Sequence, residues 1–231
     1  MPAFADDVSV AVAANFTEAA EEIATAFNAA TGHTARLSFG ASGQFYTQIT
    51  QAAPFEVFLS ADDERPALAV EEGFGVEGSV FTYAIGQLVL YSTDAALVTG
   101  EETLTAGEFQ KLSVADPETA PYGVAAIETM TALGVIEVLR PKFVTGTNIS
   151  QAYQFVQSNS AEIGFVALSQ ISQVEGGSRW IVPAELHEPI RQDAVLLKTG
   201  EDNPAATAFV NFLKGDQAHA IIEKYGYALN Q

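Results

Sequence analysis

Apolar and polar positions alternate along the first third of the chain in a way that predicts strands and helices in turn. The apolar run at 8–14 predicts a buried strand, and apolar residues at helical spacing follow it as far as Gly32. The same succession occurs twice more before Gly73, with strands predicted at 37–39 and 55–60. Three consecutive strand-helix units favour a parallel sheet covered by helices.

The segment 81–92 is too long and too apolar for a simple connection. We interpret it as a strand that leaves the first sheet and enters a second one. Further strands are predicted at 112–115 and 162–168, and extended structure at 189–197. The pattern from 204 to 225 is helical, with a break predicted near Gly215-Asp216. The chain is therefore predicted to be an α/β protein with more than one sheet.

Four predicted helices begin at turns of small or polar residues that contain no Lys or Arg: Asn15, Ser42, Tyr122 and 147–149. The first main-chain N–H groups of a helix have no partner inside it, and the helix dipole adds partial positive charge, so such a turn can bind an anion. Two turns fall in the first third of the chain and two in the middle, which suits a cleft between two lobes. Asn15, with Glu18 three residues later, and Ser42 are also predicted to cap their helices.

The charge balance of the chain is strongly acidic. Its 231 residues include 10 Lys and Arg against 29 Asp and Glu, a formal net charge of -19. Such a surface repels nucleic acid and anionic membranes, so we expect neither as a partner. The acidic residues are dispersed rather than clustered, and this composition is typical of a salt-rich habitat, where counterions screen the charge.

The N-terminal residues are typical of an export signal. Ala3-Phe4-Ala5 matches an A-x-A cleavage site, and Asp6 begins an acidic mature start. Residues 1–7 are therefore predicted to be the remnant of a cleavage region in an exported, periplasmic protein. The chain has no cysteine, which excludes disulfides, thiolate catalysis and thiolate metal sites. No apolar run approaches the ~20 residues that a membrane span requires.

Six segments spread over nearly the whole chain share a family pattern: AANF at 13–16, FGASG at 39–43, FEVFLSAD at 55–62, DPETAPYG at 116–123, EIGFVAL at 162–168 and FLKGDQAHAIIEKYGY at 212–227. In this order they resemble the molybdate-binding proteins of ABC importers, within the type II periplasmic binding proteins. The resemblance implies two Rossmann-like lobes with mixed sheets flanked by helices and joined by a two-strand hinge. Lobe 1 would comprise 8–83 and 193–231, and lobe 2 would comprise 84–192.

The same resemblance implies which residues bind the ligand. Members of that family hold a tetrahedral dianion between the lobes with uncharged hydroxyl and amide donors. By position, Asn15 and Ser42 would contact the oxyanion from one lobe. Tyr122 and Ile149 would do so from the other, Ile149 through its main-chain N–H. Ala14 stands where some members have a hydroxyl residue, so its contribution would come from the main chain.

Ala167 departs from the family pattern, because many members have a tyrosine in that strand. Tyr122, in its proline-flanked turn, is the expected substitute. A metal is expected only within the oxyanion, molybdate or tungstate, and no other cofactor is expected. The resemblance further implies a monomeric receptor that delivers its ligand to a membrane ABC permease.

Two alternatives stay open at this point. One is a receptor for another tetrahedral oxyanion such as sulfate or phosphate, since a sequence does not report pocket size. The other is a hydrolase or transferase that uses Ser42, but the G-x-S-x-G elbow would require glycine where the chain has Gln44. His33, His187 and His219 neighbour none of the four turns and lack metal-ligand spacing. We therefore predict a binding protein without catalytic residues.

Overall fold

The computed structural model describes residues 6–229 of the chain. Contacts among them divide the chain into two compact units. The first unit contains the described residues up to Ile85 and those from Arg191 onward, and the second contains Gly86–Ile190. The boundaries expected from the sequence, at 83/84 and 192/193, each lie two residues from these. In chain order, the described strands and helices are β1 (Asp7–Ala13), α1 (Thr17–Thr31), β2 (Thr34–Gly40), α2 (Ser42–Thr50), β3 (Val57–Leu59), α3 (Glu64–Glu71), β4 (Phe81–Gly86), β5 (Leu88–Ser92), α4 (Glu102–Ala106), β6 (Leu112–Ala115), α5 (Pro121–Ala132), α6 (Ile136–Leu139), β7 (Phe143–Gly146), α7 (Ile149–Gln157), β8 (Ile163–Ala167), α8 (Leu168–Ile171), β9 (Ser178–Ile181), β10 (Ile190–Leu196), α9 (Pro204–Leu213) and α10 (Asp216–Lys224).

The first unit is built on a mixed sheet whose described strands follow the order β2-β1-β3-β10-β4. Strands β2, β1 and β3 are parallel, and β10 pairs antiparallel to β3. Alternate residues of β1 face opposite sides, because side chains alternate along a strand. Val10 and Val12 pack with α1, α9 and α10, whereas Ala11 packs with α2 and α3. The sheet is therefore covered by helices on both faces, which explains why β1 is apolar throughout.

The helices of the first unit follow from local sequence signals. Helix α1 buries Ile23 and Phe27 on its core face. It ends at Gly32, which has the left-handed backbone conformation (φ 77°) that glycine adopts readily, and whose N–H donates to the Asn28 carbonyl. Helices α9 and α10 are separated at Gly215, as the sequence predicted.

The second unit has its own mixed sheet, in which the described strands follow the order β7-β6-β8-β5-β9. Strands β7, β6 and β8 are parallel, and β5 is antiparallel to β8 and β9. The apolar segment 81–92 forms β4 in the first sheet and β5 in the second, with a break at Gln87. The prediction that this segment changes sheets is therefore confirmed, and two mixed sheets flanked by helices confirm the predicted fold class.

The structure bears on the predicted absence of membrane spans but not on the predicted cleavage site. The proposed cleavage site, Ala3-Phe4-Ala5, lies outside the described residues. Within 6–229, no single helix has both the length and the apolar character to cross a membrane. One pair of helical segments, Pro121–Ala132 and Ile136–Lys142, has the required length and apolar character only when the two are taken together, and the pair is bent by 118° at its break.

Candidate oxyanion-binding site

Three turns meet at the carboxyl edge of the first sheet. Ala13 pairs with Gly40, and Val12 pairs with Leu59, so β2, β1 and β3 all end at the same edge. The chain then continues into a single 3-10 turn at Ala14–Phe16, into α2, and into the residues that precede α3. Because helices begin there, their first N–H groups point out of this edge. The topology therefore brings the Asn15 and Ser42 turns, predicted separately, to one edge of one unit.

Ser42 does not cap α2, so that prediction is wrong. Ala41 is the cap residue, and Ser42 is the first residue of the helix. The Ser42 side chain is buried (1% exposed), and its Oγ accepts a hydrogen bond of 2.9 Å from the main-chain N–H of Ala61. This is the only hydrogen bond that the hydroxyl makes with the described residues. Its proton therefore remains available to donate to a further acceptor.

Asn15 does not cap α1 either. The helix begins at Thr17 without a side-chain cap, and Asn15 lies in the preceding 3-10 turn. Its buried side chain instead donates two hydrogen bonds of 2.9 Å each, to Gln192 Oε1 and to the Tyr227 hydroxyl. Asn15 is thus tied to β10 and to the segment after α10. Ala14 occupies the same turn and is also buried.

The second unit repeats this arrangement at the carboxyl edge of its own sheet. Ala115 at the end of β6 pairs with Gly146 at the end of β7, and the Asp116 N–H donates to the Gly146 carbonyl at 2.8 Å. Strand β8 is parallel to β6 and ends at Ala167. Helices α5, α7 and α8 begin just beyond these strand ends. The Tyr122 and Ile149 turns therefore belong to one edge of the second unit.

Tyr122 is the second residue of α5, directly after Pro121, and it is almost completely buried (1% exposed). Gly123 allows the helix to begin so close to the sheet, because a Cβ at this position would lie 2.3 Å from the Ala115 main-chain oxygen. Proline is favoured in the first turn of a helix, where its missing N–H costs nothing. The sequence therefore fixes Tyr122 in the first turn of α5.

Ile149 is the first residue of α7. The preceding Asn148 caps the helix, since its side chain accepts the Gln151 N–H at 2.9 Å. This cap satisfies Gln151, and no hydrogen bond from the Ile149 N–H to a described residue is seen. The main-chain N–H of Ile149 is therefore positioned as a donor, as an N-terminal helix amide should be.

Ala167, the position that departs from the family pattern, is buried and ends β8. Its main-chain N–H donates to Gln170 Oε1 at 2.9 Å. The Gln170 amide nitrogen in turn lies 3.3 Å from the Ile149 carbonyl oxygen. Gln170 thus links the β8 turn to the start of α7. It was not predicted, because nothing in the sequence around it distinguishes it from a surface glutamine.

The electrostatics of these edges rest on dipoles rather than on charged side chains. The turns at 13–17, 40–43, 121–123 and 146–151 contain no Lys or Arg. The acidic residues after β3 stabilise a helix start, because Asp62 Oδ1 accepts the Arg65 N–H at 2.9 Å. Among residues 6–229, no cluster of three or more His, Asp or Glu side chains could hold a metal ion. No imidazole or carboxylate among residues 6–229 hydrogen-bonds to the Ser42 hydroxyl.

Two further residues of the first unit escaped prediction, Gln192 and Tyr227. Gln192 is completely buried in β10, although its neighbours in sequence, Arg191 and Asp193, are also polar. The sequence predicted only extended structure at 189–197 and did not indicate that Gln192 would be buried. Tyr227 lies beyond the helix predicted at 204–225 and has no local signal either, because its partner Asn15 is distant in sequence.

Comparison with known proteins agrees with this architecture. Residues 8–228 match the family model described as bacterial extracellular solute-binding protein. The molybdate-binding protein ModA of Rhodobacter capsulatus is 58% identical over 98% of this chain and 90% of its own length. ModA of Azotobacter vinelandii is 51% identical, over 97% of this chain and 91% of its own. The solved periplasmic molybdate-binding protein of A. vinelandii superposes with a TM-score of 0.94 at 39% identity, covering 97% of this chain and all of that one.

These relatives confirm the resemblance to molybdate-binding proteins that the sequence motifs indicated. The match extends over both units, and each relative is aligned over most of its own length. The chain belongs to the bacterial extracellular solute-binding proteins.

Proposed function

We propose that this protein is an exported receptor that binds molybdate and delivers it to an ABC permease. The observation that carries the proposal is the buried Ser42 hydroxyl, which accepts the Ala61 N–H and keeps its proton for an outside acceptor. A buried hydroxyl at a helix start, with no basic side chain in its turn, is suited to an anion. The relatives named as molybdate-binding proteins support molybdate as that anion.

We propose five contact residues for the oxyanion. Ser42 donates through its hydroxyl, and Ile149 through its main-chain N–H. Tyr122 contributes from the first turn of α5. Asn15 and Ala14 contribute from the turn that follows β1, Ala14 through its main chain.

Uncharged donors favour a fully ionised ligand. A hydrogen bond to a charged acceptor contributes about 1.5–3 kcal/mol, so several such bonds give useful affinity without a lysine or arginine. Every proposed contact group is a hydrogen-bond donor, so each ligand oxygen must act as an acceptor. A protonated ligand oxygen would place its own hydrogen against such a donor and lose that hydrogen bond, which favours molybdate or tungstate over hydrogen phosphate. Reversible binding of this kind is also what delivery to a permease requires.

Isothermal titration calorimetry of the dialysed protein with molybdate, tungstate, sulfate and phosphate tests the proposal. We expect one-to-one binding of molybdate and tungstate, and much weaker heats with sulfate and phosphate. Binding of sulfate or phosphate alone would assign the protein to another oxyanion. Silence toward all four anions would overturn the proposal and leave the helix-start turns with a purely structural role.

A further inference from the structure

A buried cluster of neutral polar side chains lies behind the proposed contact turn of the first unit. It consists of Asn15, Tyr83, Gln192 and Tyr227, which we call the Asn15 network. All four are buried, with Gln192 completely so. They come from four different places in the chain: the turn after β1, strand β4, strand β10 and the segment after α10. Buried polar groups of this kind have defined geometry, because an unmet hydrogen bond there is costly.

The network holds Asn15 from both its side chain and its main chain. The two hydrogens of the Asn15 amide have two acceptors, Gln192 Oε1 and the Tyr227 hydroxyl, each at 2.9 Å. The Tyr227 hydroxyl in turn donates to the Asn15 main-chain oxygen at 2.8 Å. With one bond accepted and one donated, Tyr227 fixes both the rotamer and the backbone of Asn15.

The same network reaches the neighbouring turn. The Tyr83 hydroxyl lies 3.1 Å from Gln192 Oε1 and 2.9 Å from the main-chain oxygen of Ser60. The next residue, Ala61, provides the N–H that Ser42 Oγ accepts. The single Tyr83 hydroxyl hydrogen can be donated to either of these oxygens, so Tyr83 contacts both the Asn15 network and the main chain that precedes the Ala61 N–H.

We propose that Gln192 and Tyr227 are positioning residues for oxyanion binding, an inference that rests on the proposed function. They hold the Asn15 side chain inside the first unit, so that the turn at 14–16 meets the ligand through its main chain. Preorganised donors bind more tightly than mobile ones, because less conformational freedom is lost on binding. Since every member is neutral, the network sets the geometry of the turn without altering the charge near the anion.

The test uses Gln192→Met and Tyr227→Phe, which remove the two acceptors of the Asn15 amide and change side-chain volume little. Tyr225→Phe is the matched control, because the Tyr225 hydroxyl lies in the same segment. Among the described residues it donates only to the Glu22 carboxylate, at 2.9 Å. By calorimetry we expect each network variant to raise the Kd for molybdate roughly three- to tenfold, the range for one hydrogen bond. The control should stay within about twofold of the unmodified protein.

A double variant tests whether Gln192 acts through Asn15. If it does, Asn15→Ala combined with Gln192→Met should bind molybdate no more weakly than Asn15→Ala alone. Losses that multiply instead would show independent effects and overturn the inference. Reduced stability with an unchanged Kd for molybdate would also overturn it, since that is the signature of a merely structural role.

Hydrogen exchange of the ligand-free protein separates this inference from the proposed function. We expect faster exchange of the amides at 14–16 in Gln192→Met and Tyr227→Phe, but not in Tyr225→Phe. If the unmodified protein does not bind molybdate, the proposed function fails while the exchange result still reports whether the network orders the turn. Unchanged exchange at 14–16 in both network variants overturns the inference directly.

Discussion

Replacing Ser42 with alanine should affect both ligand affinity and protein stability, and the two effects can be measured separately. In the proposed complex the Ser42 hydroxyl donates to the oxyanion, while its oxygen accepts the Ala61 N–H at 2.9 Å. The substitution therefore removes one hydrogen bond to a charged ligand and one bond inside the protein. These two losses have different readouts, because only the first depends on ligand.

The magnitude of each loss follows from the contacts. A hydrogen bond to a charged acceptor contributes about 1.5–3 kcal/mol, so the Kd for molybdate should rise roughly ten- to hundredfold. Ala61 is buried (2% exposed), and leaving its N–H without an acceptor costs about 1–3 kcal/mol. For a chain of this size, that corresponds to a fall in Tm of about 2–12 °C without ligand.

Ser79→Ala is the matched control for the stability loss. Ser79 Oγ accepts the Leu196 N–H at 3.2 Å and donates to the Val76 carbonyl at 2.7 Å. Leu196 pairs with Val57, which begins β3, so this serine lies at the opposite end of the sheet from the contact turns. We expect it to lower the Tm while leaving the Kd for molybdate unchanged.

Calorimetry gives the Kd, and differential scanning calorimetry of the ligand-free protein gives the Tm. If Ser42→Ala lowers the Tm but binds molybdate with the Kd of the unmodified protein, Ser42 is only a structural tie between α2 and the residues after β3. That result would refute the assignment of its hydroxyl to the ligand.

Three further predictions concern stability and charge. Burial, with Asp63 nearby, raises the pKa of Asp193 above its usual 3.8 despite a hydrogen bond from Thr82. The folded protein therefore holds this proton more tightly than the unfolded chain, so the free energy of unfolding falls as the pH rises from 3.8 through the raised pKa. Asp193→Asn should therefore be more stable than the unmodified protein at pH 7, and the difference should shrink as the pH falls toward 3.8. Urea titrations at pH 7 and pH 4 that show the same difference in stability would contradict this. Gly123→Ala should lower the free energy of unfolding by about 1–3 kcal/mol, because its Cβ would lie 2.3 Å from the Ala115 main-chain oxygen. An unchanged Tm would show that the start of α5 can shift to make room. Raising the ionic strength from about 0.01 to 0.15 M should strengthen molybdate binding, since the net charge of -19 repels the dianion; weaker binding in calorimetry at the higher salt would indicate an attractive charge near the site.

The order of the longer strands and helices was predictable because periodicity and turn residues are local signals, whereas the short helices α4, α6 and α8 were not predicted. The change of sheet within 81–92 followed from its length, and the break between α9 and α10 from Gly215. The parallel order of three strands then placed the Asn15 and Ser42 turns at one edge, since parallel strands share a carboxyl end.

The side-chain roles of Asn15 and Ser42 were not predictable in the same way. Both fit a local capping pattern, yet both bond to residues distant in sequence: Asn15 to Gln192 and Tyr227, 177 and 212 positions away, and Ser42 to Ala61. Capping is a competition between a local partner and a tertiary one, and a sequence shows only the local partner. In both cases the side chain bonds to the buried tertiary partner and not to the local helix N–H.

A site of this kind uses geometry where other anion sites use charge. With a net charge of -19, a basic side chain at the contact turns would raise affinity, yet the turns contain none. Neutral donors act only over hydrogen-bond distances, and at about 0.15 M salt the surface charge is screened beyond about 8 Å. Affinity then depends on how accurately the donors are held, because a misplaced hydrogen bond has no long-range attraction to compensate it. The hydrogen bonds from Asn15 to Tyr227 and from Ala61 to Ser42 hold two of these turns in place. Under the proposed function, we therefore expect the packing behind the turns to affect binding as much as the turns themselves.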